Sequence, residues 1–206
     1  MPQADQHLEV ERKFALGPDD EPPDPVGWPG VDAAAEPQRF ELDALYYDTG
    51  DIRLANAGVT LRRRTGGGDD GWHLKVPGEG EGRLEHGLAL EVAADAPPEE
   101  FARQVQHLTD GEPLRPICRA RTIRVERRLD GPEGPVATMC DDRVTTHNLL
   151  DPTLDQRWHE LEVELTEDGT LDFLDAVTEH LTGLGIREVS IASKLKTALT
   201  PQEQPG

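Results

Sequence analysis

Several stretches of this chain alternate between apolar and ionic residues, and this alternation is what most constrains the fold. Alternate residues of a strand share a face, so Glu160, Glu162 and Glu164 lie opposite Leu161 and Val163. Four more stretches have an ionic face, formed by Glu9, Glu11 and Lys13; by Arg62 and Arg64; by His73 and Lys75; and by Glu85 and Glu91. The pattern is typical of antiparallel sheet with one apolar face.

Period-two alternation predicts eight strands, and apolar spacing of three to four residues predicts three helices. The strands are expected at 7–14, 39–48, 58–65, 71–77, 83–92, 117–129, 135–146 and 157–166. The helices are expected at 98–108, 170–182 and 190–200, the last with Ser190 as its N-cap. Residues 18–37 contain six prolines and are predicted to form a loop, whereas the glycine-rich stretch 66–71 is predicted to be a hairpin turn.

Such strands can form either an open sheet with its ionic faces in water or a closed barrel with those faces inside. Exposed strand faces usually mix Thr, Ser, Lys and Glu, whereas several faces here carry charges of one sign. Closure also removes edge strands, which would otherwise invite unwanted pairing. The predicted fold class is therefore α+β: an antiparallel eight-stranded closed β-barrel, forming a tunnel with a polar interior and flanked by helices.

The overall charge excludes some functions. The chain has 21 Lys and Arg residues against 41 Asp and Glu residues, a formal net charge of −20, which argues against broad binding to nucleic acid or anionic membrane. Neither a membrane-length apolar run nor a signal-like start is present, and Cys118 and Cys140 are too few for a disulfide framework. A cytoplasmic location is expected.

The charges are sorted along the chain. Acidic residues dominate residues 1–57 and 150–206, whereas residues 115–128 hold six arginines and a single acidic residue, Glu126. A polyphosphate accompanied by a divalent metal would compensate both signs. Carboxylate oxygens bind Mg²⁺ or Mn²⁺, and Arg binds phosphate oxygens through a bidentate fork.

At these residues the chain resembles the CYTH superfamily, also called triphosphate tunnel metalloenzymes. The resemblance covers about residues 7–200, and its form is closest to bacterial members that precede a CHAD domain. The matching motifs are, in order, Glu-x-Glu-x-Lys at 9–13, Tyr-Tyr-Asp-Thr at 46–49, Leu-Arg-Arg-Arg at 61–64, Leu-Lys at 74–75, Arg-Leu-Glu at 83–85, Arg124, Asp-Arg-Val at 142–144, Glu-Leu-Glu at 160–162 and Ser-Lys at 193–194.

The resemblance implies a tunnel in which a divalent metal, Mg²⁺ or Mn²⁺, and a triphosphate bind together. Glu9, Glu11 and Lys13 would be catalytic. The metal ligands would be Glu9, Glu11, Asp142, Glu160 and Glu162. The substrate-binding residues would be Lys13, Arg62, Arg64, Lys75, Glu85, Arg121, Arg124 and Lys194. Arg127 stands where many members have an aromatic residue, so which of Arg119, Arg121 and Arg124 face the tunnel stays open.

The resemblance implies hydrolysis of inorganic triphosphate to pyrophosphate and phosphate. Two alternatives stay open: a non-catalytic polyphosphate-binding module, and an adenylate cyclase or thiamine triphosphatase of the same fold. Residues 1–206 are expected to form a single domain, with 201–206 as a tail or the start of a linker. A CHAD domain could follow in a longer parent chain. The expected partners are tripolyphosphate, polyphosphate or another triphosphate-bearing small molecule, and neither nucleic acid nor membrane.

Overall fold

The structure is a computed structural model, and it describes residues 5–78, 80, 82–92, 96–189 and 194–201. One antiparallel sheet dominates it. Its strands are β1 (Asp5–Glu9), β2 (Glu11–Leu16), β3 (Ala33–Ala34), β4 (Gln38–Asp48), β5 (Thr60–Thr65), β6 (Gly71–Pro77), β7 (Arg83–Leu88), β8 (Arg115–Gly131), β9 (Gly134–Asn148), β10 (Gln156–Leu165) and β11 (Glu188–Val189). They are arranged in the order β1-β7-β6-β5-β4-β8-β9-β10-β2-β11, with β3 paired to β8.

The sheet curls round because its first two strands join its two sides. β1 pairs with β7, placing His7 opposite Glu85, while β2 pairs with β10, placing Lys13 opposite Glu162. Residues 5–16 are interrupted only at Val10, whose carbonyl oxygen accepts a hydrogen bond from the Leu165 amide. One continuous stretch of chain therefore connects β7 to β10, which brings the ionic faces of distant strands into a common interior.

The predicted strands are confirmed as elements, and the strand count differs for three reasons. The first predicted strand is divided at Val10, and two two-residue strands, β3 and β11, are added. β3 lies within the proline-rich stretch predicted to be a loop. The strand predicted at 83–92 ends at Leu88 and is followed by a 3₁₀ helix, Leu90–Val92; a second 3₁₀ helix is Pro152–Leu154.

Four helices flank the sheet: α1 (Arg53–Asn56), α2 (Glu99–Thr109), α3 (Leu171–Gly183) and α4 (Lys194–Leu199). The sequence pattern predicted α2 and α3 closely. α3 begins after Thr170, whose hydroxyl accepts a hydrogen bond from the Phe173 amide. α1 was not predicted: the buried carboxylate of Asp48 accepts hydrogen bonds from the Leu54 and Ala55 amides. The proposed cap of the last helix, Ser190, lies outside the described residues.

Apolar packing lies mainly outside the sheet, as the fold prediction required. α3 packs with Phe14, Leu161 and Val163 through Leu174, Val177 and Leu181, and α2 packs with Trp72 and Leu74 through Phe101 and Val105. α4 differs, because Leu195 and Ala198 pack with Ala44, Tyr46 and Ala120. Those three residues line the interior cavity. Across the part of the chain that the structure describes, every helix is too short or too polar to cross a membrane.

Candidate functional site

The inner faces of the strands enclose a cavity of about 460 Å³ that collects most of the predicted site residues. Its lining includes the predicted residues Glu9, Glu11, Lys13, Arg62, Arg64, Lys75, Glu85, Arg124, Glu162 and Lys194. Asp142 and Glu160, also predicted, are buried and are bound to the cavity cations Arg124 and Lys194. Residues remote in sequence therefore meet because every second residue of each strand points inward.

One group of three carboxylates, here called the first acidic triad, consists of Glu9, Glu11 and Glu164, whose nearest oxygens lie within 4.8 Å of one another. β2 pairs with β10 so that Glu11 lies opposite Glu164. Lys75 Nζ lies 2.5 Å from Glu9, and Lys13 Nζ lies 3.1 Å from Glu11.

The first acidic triad carries more negative charge than its neighbours compensate. Burial alone would raise the pKa of Glu9, but Lys75 outweighs it and the pKa is lowered. For Glu11, burial together with Glu162 and Glu9 outweighs Lys13, so its pKa is raised. Burial and the carboxylates of Glu9 and Glu11 raise the pKa of Glu164 to about 7. An added cation would stabilise all three carboxylates in their charged form.

The second acidic triad, Asp142, Glu160 and Glu162, meets the same 4.8 Å criterion but is surrounded by protein cations. Lys194 Nζ lies 2.9 Å from Asp142, 2.7 Å from Glu160 and 2.6 Å from Glu162. Arg124 donates to both oxygens of Asp142 at 2.8 and 2.7 Å, and to Glu162 at 2.6 Å.

These cations reverse the effect of burial on the second acidic triad. Burial would raise the pKa of Asp142, but Lys194 and Arg124 lower it. For Glu162, Lys13, Lys194 and Arg124 overcome burial and hold the pKa well below its usual range. The negative charge of this triad is therefore already neutralised by the protein.

The basic residues of the opposite wall are organised around Glu85. Its carboxylate lies 2.8 Å from Lys75 Nζ and 4.0 Å from Arg62 Nη2, and it contacts His73 Nδ1. Burial would raise the pKa of Glu85, but His73, Lys75 and Arg62 lower it far more. Among the described residues, the Nε atoms of Arg62 and Arg64 are buried without a hydrogen-bond partner. Because both side chains also line the cavity, this wall can donate hydrogen bonds to further anionic oxygens.

The structure corrects the assignment of Arg121 as a substrate-binding residue. Alternation along β8 turns Thr122 and Arg124 toward the cavity and Arg119 and Arg121 away from it. Arg119 Nε lies 2.8 Å from Asp43 and Arg121 Nε lies 3.6 Å from the same carboxylate, on the outer surface. The question left open by the sequence is thus decided by strand register: Arg124 is the inward residue of the three.

Glu164 and Asp69 are two of the cavity residues that were not selected from the sequence. Glu164 continues the alternation of Glu160 and Glu162, and that periodicity was the signal that could have placed it in the site. Asp69 lies in the turn between β5 and β6, and it lines the cavity and pairs with Arg64. A turn residue has no strand periodicity, so its position could not be derived from alternation.

Fold and site together define an antiparallel barrel with an ionic interior, able to bring a carboxylate group and a set of arginines and lysines to one cavity. The model of the CYTH domain family matches residues 7–196. The chain therefore belongs to the CYTH domain family, whose members are typically triphosphatases or cyclases.

The chain is also similar to curated proteins and to solved structures. Uncharacterized proteins from two strains of Mycobacterium tuberculosis are 36% identical over 221 residues, covering 100% of this chain and 43% of theirs. The chain thus spans less than half the length of these curated relatives. A structure from Bacillus halodurans, described as a candidate adenylate cyclase, is 20% identical with a TM-score of 0.60, covering 93% of this chain and 97% of that one.

A second similar structure comes from Hippeastrum. It is described as a candidate adenylyl cyclase with a dominant triphosphatase activity. It is 16% identical to this chain, with a TM-score of 0.50, and the match covers 96% of this chain and 97% of that one. At this level of identity the likeness establishes the fold.

Proposed function

We propose that this chain hydrolyses inorganic triphosphate to pyrophosphate and phosphate in its barrel cavity, with Mg²⁺ or Mn²⁺ as cofactor. One observation carries the proposal: a carboxylate triad with uncompensated negative charge lies in the same cavity as cations that retain unfilled donor capacity. A metal cation fits the first set and phosphate oxygens fit the second. The Hippeastrum protein, with its triphosphatase activity, supports the same reaction class.

The metal is proposed to bind at the first acidic triad. Hard divalent cations prefer carboxylate oxygens, and the raised pKa values of Glu11 and Glu164 indicate that these carboxylates lack a compensating charge. The second triad fits a metal less well because Lys194, Arg124 and Lys13 already neutralise it. When bound, the metal supplies positive charge that offsets the negative charge of the phosphoryl oxygens.

The cations of the cavity are proposed to bind and orient the triphosphate. Arg62 and Arg64 present guanidinium groups to the cavity, and Arg124, Lys13, Lys75 and Lys194 complete the set. In hydrolysis, a water oxygen bonds to the terminal phosphorus, the bond to the bridging oxygen breaks, and pyrophosphate leaves. Arg and Lys side chains stabilise the negative charge that develops on the phosphoryl oxygens and on the leaving group.

A second candidate is hydrolysis or cyclisation of a triphosphate that carries an organic group. Phe40, Leu42 and Ala44 face the cavity from β4 and form an apolar section of its wall between the arginines. Such a surface could hold a base or another ring. A purely binding module is less well supported, since phosphate binding alone does not require the uncompensated first triad.

The deciding experiment is to measure phosphate release from tripolyphosphate, ATP, thiamine triphosphate and long polyphosphate, with Mg²⁺ or Mn²⁺. The Glu11→Gln variant should lose about 100-fold or more in turnover, because it lacks one charged ligand, while retaining most of its affinity for tripolyphosphate. Tight tripolyphosphate binding without turnover under either metal would reject the enzyme in favour of the binding module. Normal turnover by Glu11→Gln would show that the proposed metal site is wrong.

The substrate set also bears on the predicted CHAD domain. Activity on long polyphosphate would fit a chain that works beside a second polyphosphate-binding unit. The part of the Mycobacterium relatives that this chain does not cover leaves room for such a unit. A CHAD domain there stays a prediction.

A further inference from the structure

The turn between β5 and β6 reaches into the cavity and places an acidic side chain on Arg64, an arginine proposed to bind phosphate. Gly67, Gly68 and Asp69 line the cavity together with Arg64. The carboxylate of Asp69 forms an ion pair with Arg64 Nη2. An anion supplied by the protein itself therefore lies where the proposed function puts a phosphoryl oxygen.

Arg64 is a cation that needs such a partner. Burial, with the nearby charges of Arg62 and Arg124, lowers its pKa to about 10. The side chain of Arg64 is 10% exposed, whereas that of Asp69 is 55% exposed. Asp69 thus compensates a buried charge from a position that stays in contact with water.

The turn is rich in glycine, so its backbone can adopt other conformations. Residues 66–68 are three consecutive glycines, and Gly66 adopts a φ of +95° at a position where an added Cβ would collide with the Glu41 carbonyl. Glycine runs have many backbone conformations open to them. Within the turn, the Gly67 amide donates a hydrogen bond of 2.9 Å to Asp70 Oδ1. This bond does not depend on the contact between Asp69 and Arg64.

Among the residues that the structure describes, His73 provides one further contact to Asp69. Its backbone carbonyl oxygen lies 2.9 Å from His73 Nε2, while His73 Nδ1 contacts Glu85. Burial lowers the pKa of His73 to about 4, so the ring is neutral near pH 7. A neutral imidazole donates through one nitrogen only. Glu85 and Asp69 therefore compete for that one proton, which weakens the hold on the turn.

We propose that Asp69 is an internal competitor for Arg64, and that a polyphosphate must displace it to bind. The inference rests on the proposed function, because it takes Arg64 as a phosphate ligand. Every ligand that binds Arg64 must first displace Asp69, and the free energy of that displacement weakens its binding. Orthophosphate makes few other contacts and is kept out, whereas a polyphosphate that also reaches Arg62 and Arg124 still binds. Asp69 thus sets the lower limit of chain length that the cavity retains.

The test compares Asp69→Asn with Glu133→Gln, a one-charge control in the exposed β8–β9 turn. Calorimetric titration with tripolyphosphate, without metal, should show about tenfold tighter binding for Asp69→Asn and no change for Glu133→Gln, because only the first variant frees Arg64. In an Arg64→Met background, Asp69→Asn should give no gain. Orthophosphate should bind measurably only to Asp69→Asn.

Amide hydrogen exchange supplies an independent readout. Tripolyphosphate should speed exchange in residues 66–70 of the wild-type protein, since the turn leaves Arg64; slower exchange would mean a closing lid and would overturn the proposal. Equal tripolyphosphate affinity in wild type and Asp69→Asn would show that Asp69 does not compete with polyphosphate for Arg64. The proposed function would be unaffected by that result. If neither protein bound tripolyphosphate, with Mg²⁺ or without it, both the role of Asp69 and the proposed function would be rejected.

Discussion

Neighbouring residues of β8 face opposite sides of the sheet, and this alternation separates the cavity residue Arg124 from the surface residue Arg121. Arg121 and Arg124 are three positions apart, yet only Arg124 faces the cavity. Alternation predicts that they lie on opposite faces, but it does not say which face is inner. That choice comes from pairing with β4, which aligns Arg124 with Phe40 and Arg121 with Asp43. The identity of the inward arginine could therefore not be predicted from the local sequence.

Two matched variants, one at Arg124 and one at Arg121, test this difference in orientation. Arg124→Lys keeps the positive charge but loses the planar fork that holds Asp142, so tripolyphosphate affinity should fall about tenfold. Arg121→Lys should leave that affinity unchanged, because the side chain lies on the outer surface. Calorimetric titration measures both, and a thermal melt checks that Arg124→Lys is folded. A comparable loss in the two variants would contradict the inward assignment of Arg124.

Asp43, the outer partner of these arginines, gives a prediction on stability and pH. The hydrogen bond from Arg119 is the main cause that lowers the pKa of Asp43. The stabilisation is therefore fully present above the usual Asp pKa of about 3.9 and is lost as pH falls through the lower folded value. At pH 7, Asp43→Asn should reduce the free energy of unfolding by about 0.5 kcal/mol, since the pair is exposed.

Urea unfolding between pH 7 and pH 3 measures this effect. The difference between wild type and Asp43→Asn should shrink below about pH 4, as the wild-type carboxylate takes up a proton. A difference that stayed constant over this range would show that the substitution acts through packing rather than through the ion pair.

At the scale of elements, the single strand β10 contributes residues to both acidic triads. Glu160 and Glu162 belong to the second triad and Glu164 to the first. The sequence predicted the inner face of this strand, but the division into two groups depends on its neighbours. β9 brings Asp142 opposite Glu160, whereas β2 brings Glu11 opposite Glu164. Charge compensation, which separates the groups, is likewise a property of the assembled strands.

The division between the triads predicts different metal affinities for two variants of the same strand. Glu164→Gln should weaken Mn²⁺ binding by about tenfold or more, because it removes a proposed ligand from the uncompensated triad. Glu160→Gln should have a much smaller effect, because Lys194 already neutralises its triad. Electron paramagnetic resonance of free Mn²⁺ measures both without turnover. Stronger loss in Glu160→Gln would move the metal to the second triad.

The break at Val10 is another feature of elements that the sequence does not reveal. Glu9, Glu11 and Lys13 keep their common inward face through the break, so alternation continues and predicts one strand. The division arises because β1 and β2 pair with different strands, β7 and β10. The sequence thus predicted the strands and their inner faces, while pairing over long sequence separations determined where each strand divides and which residues meet.

At the scale of the whole molecule, the net charge of −20 and a cavity for polyanions are compatible because the two signs occupy different places. The arginines and lysines of the site are gathered on inner strand faces, and most of the acidic residues of loops and helices are exposed. A small, flexible anion can enter the local positive field. A stiff nucleic acid duplex cannot enter a cavity of about 460 Å³ and meets the acidic exterior.

This separation predicts which anions stabilise the fold. Tripolyphosphate at about 100 times its Kd should add about 2.7 kcal/mol to the free energy of unfolding, because it binds the folded chain and not the unfolded one. For a chain of this size that corresponds to a Tm increase of about 5–10 °C. A short DNA duplex at equal phosphate concentration should leave the Tm unchanged, and Arg124→Lys should show a reduced shift with tripolyphosphate. Equal stabilisation by duplex and tripolyphosphate would mean that anions act on the outer surface, because only the smaller one fits the cavity.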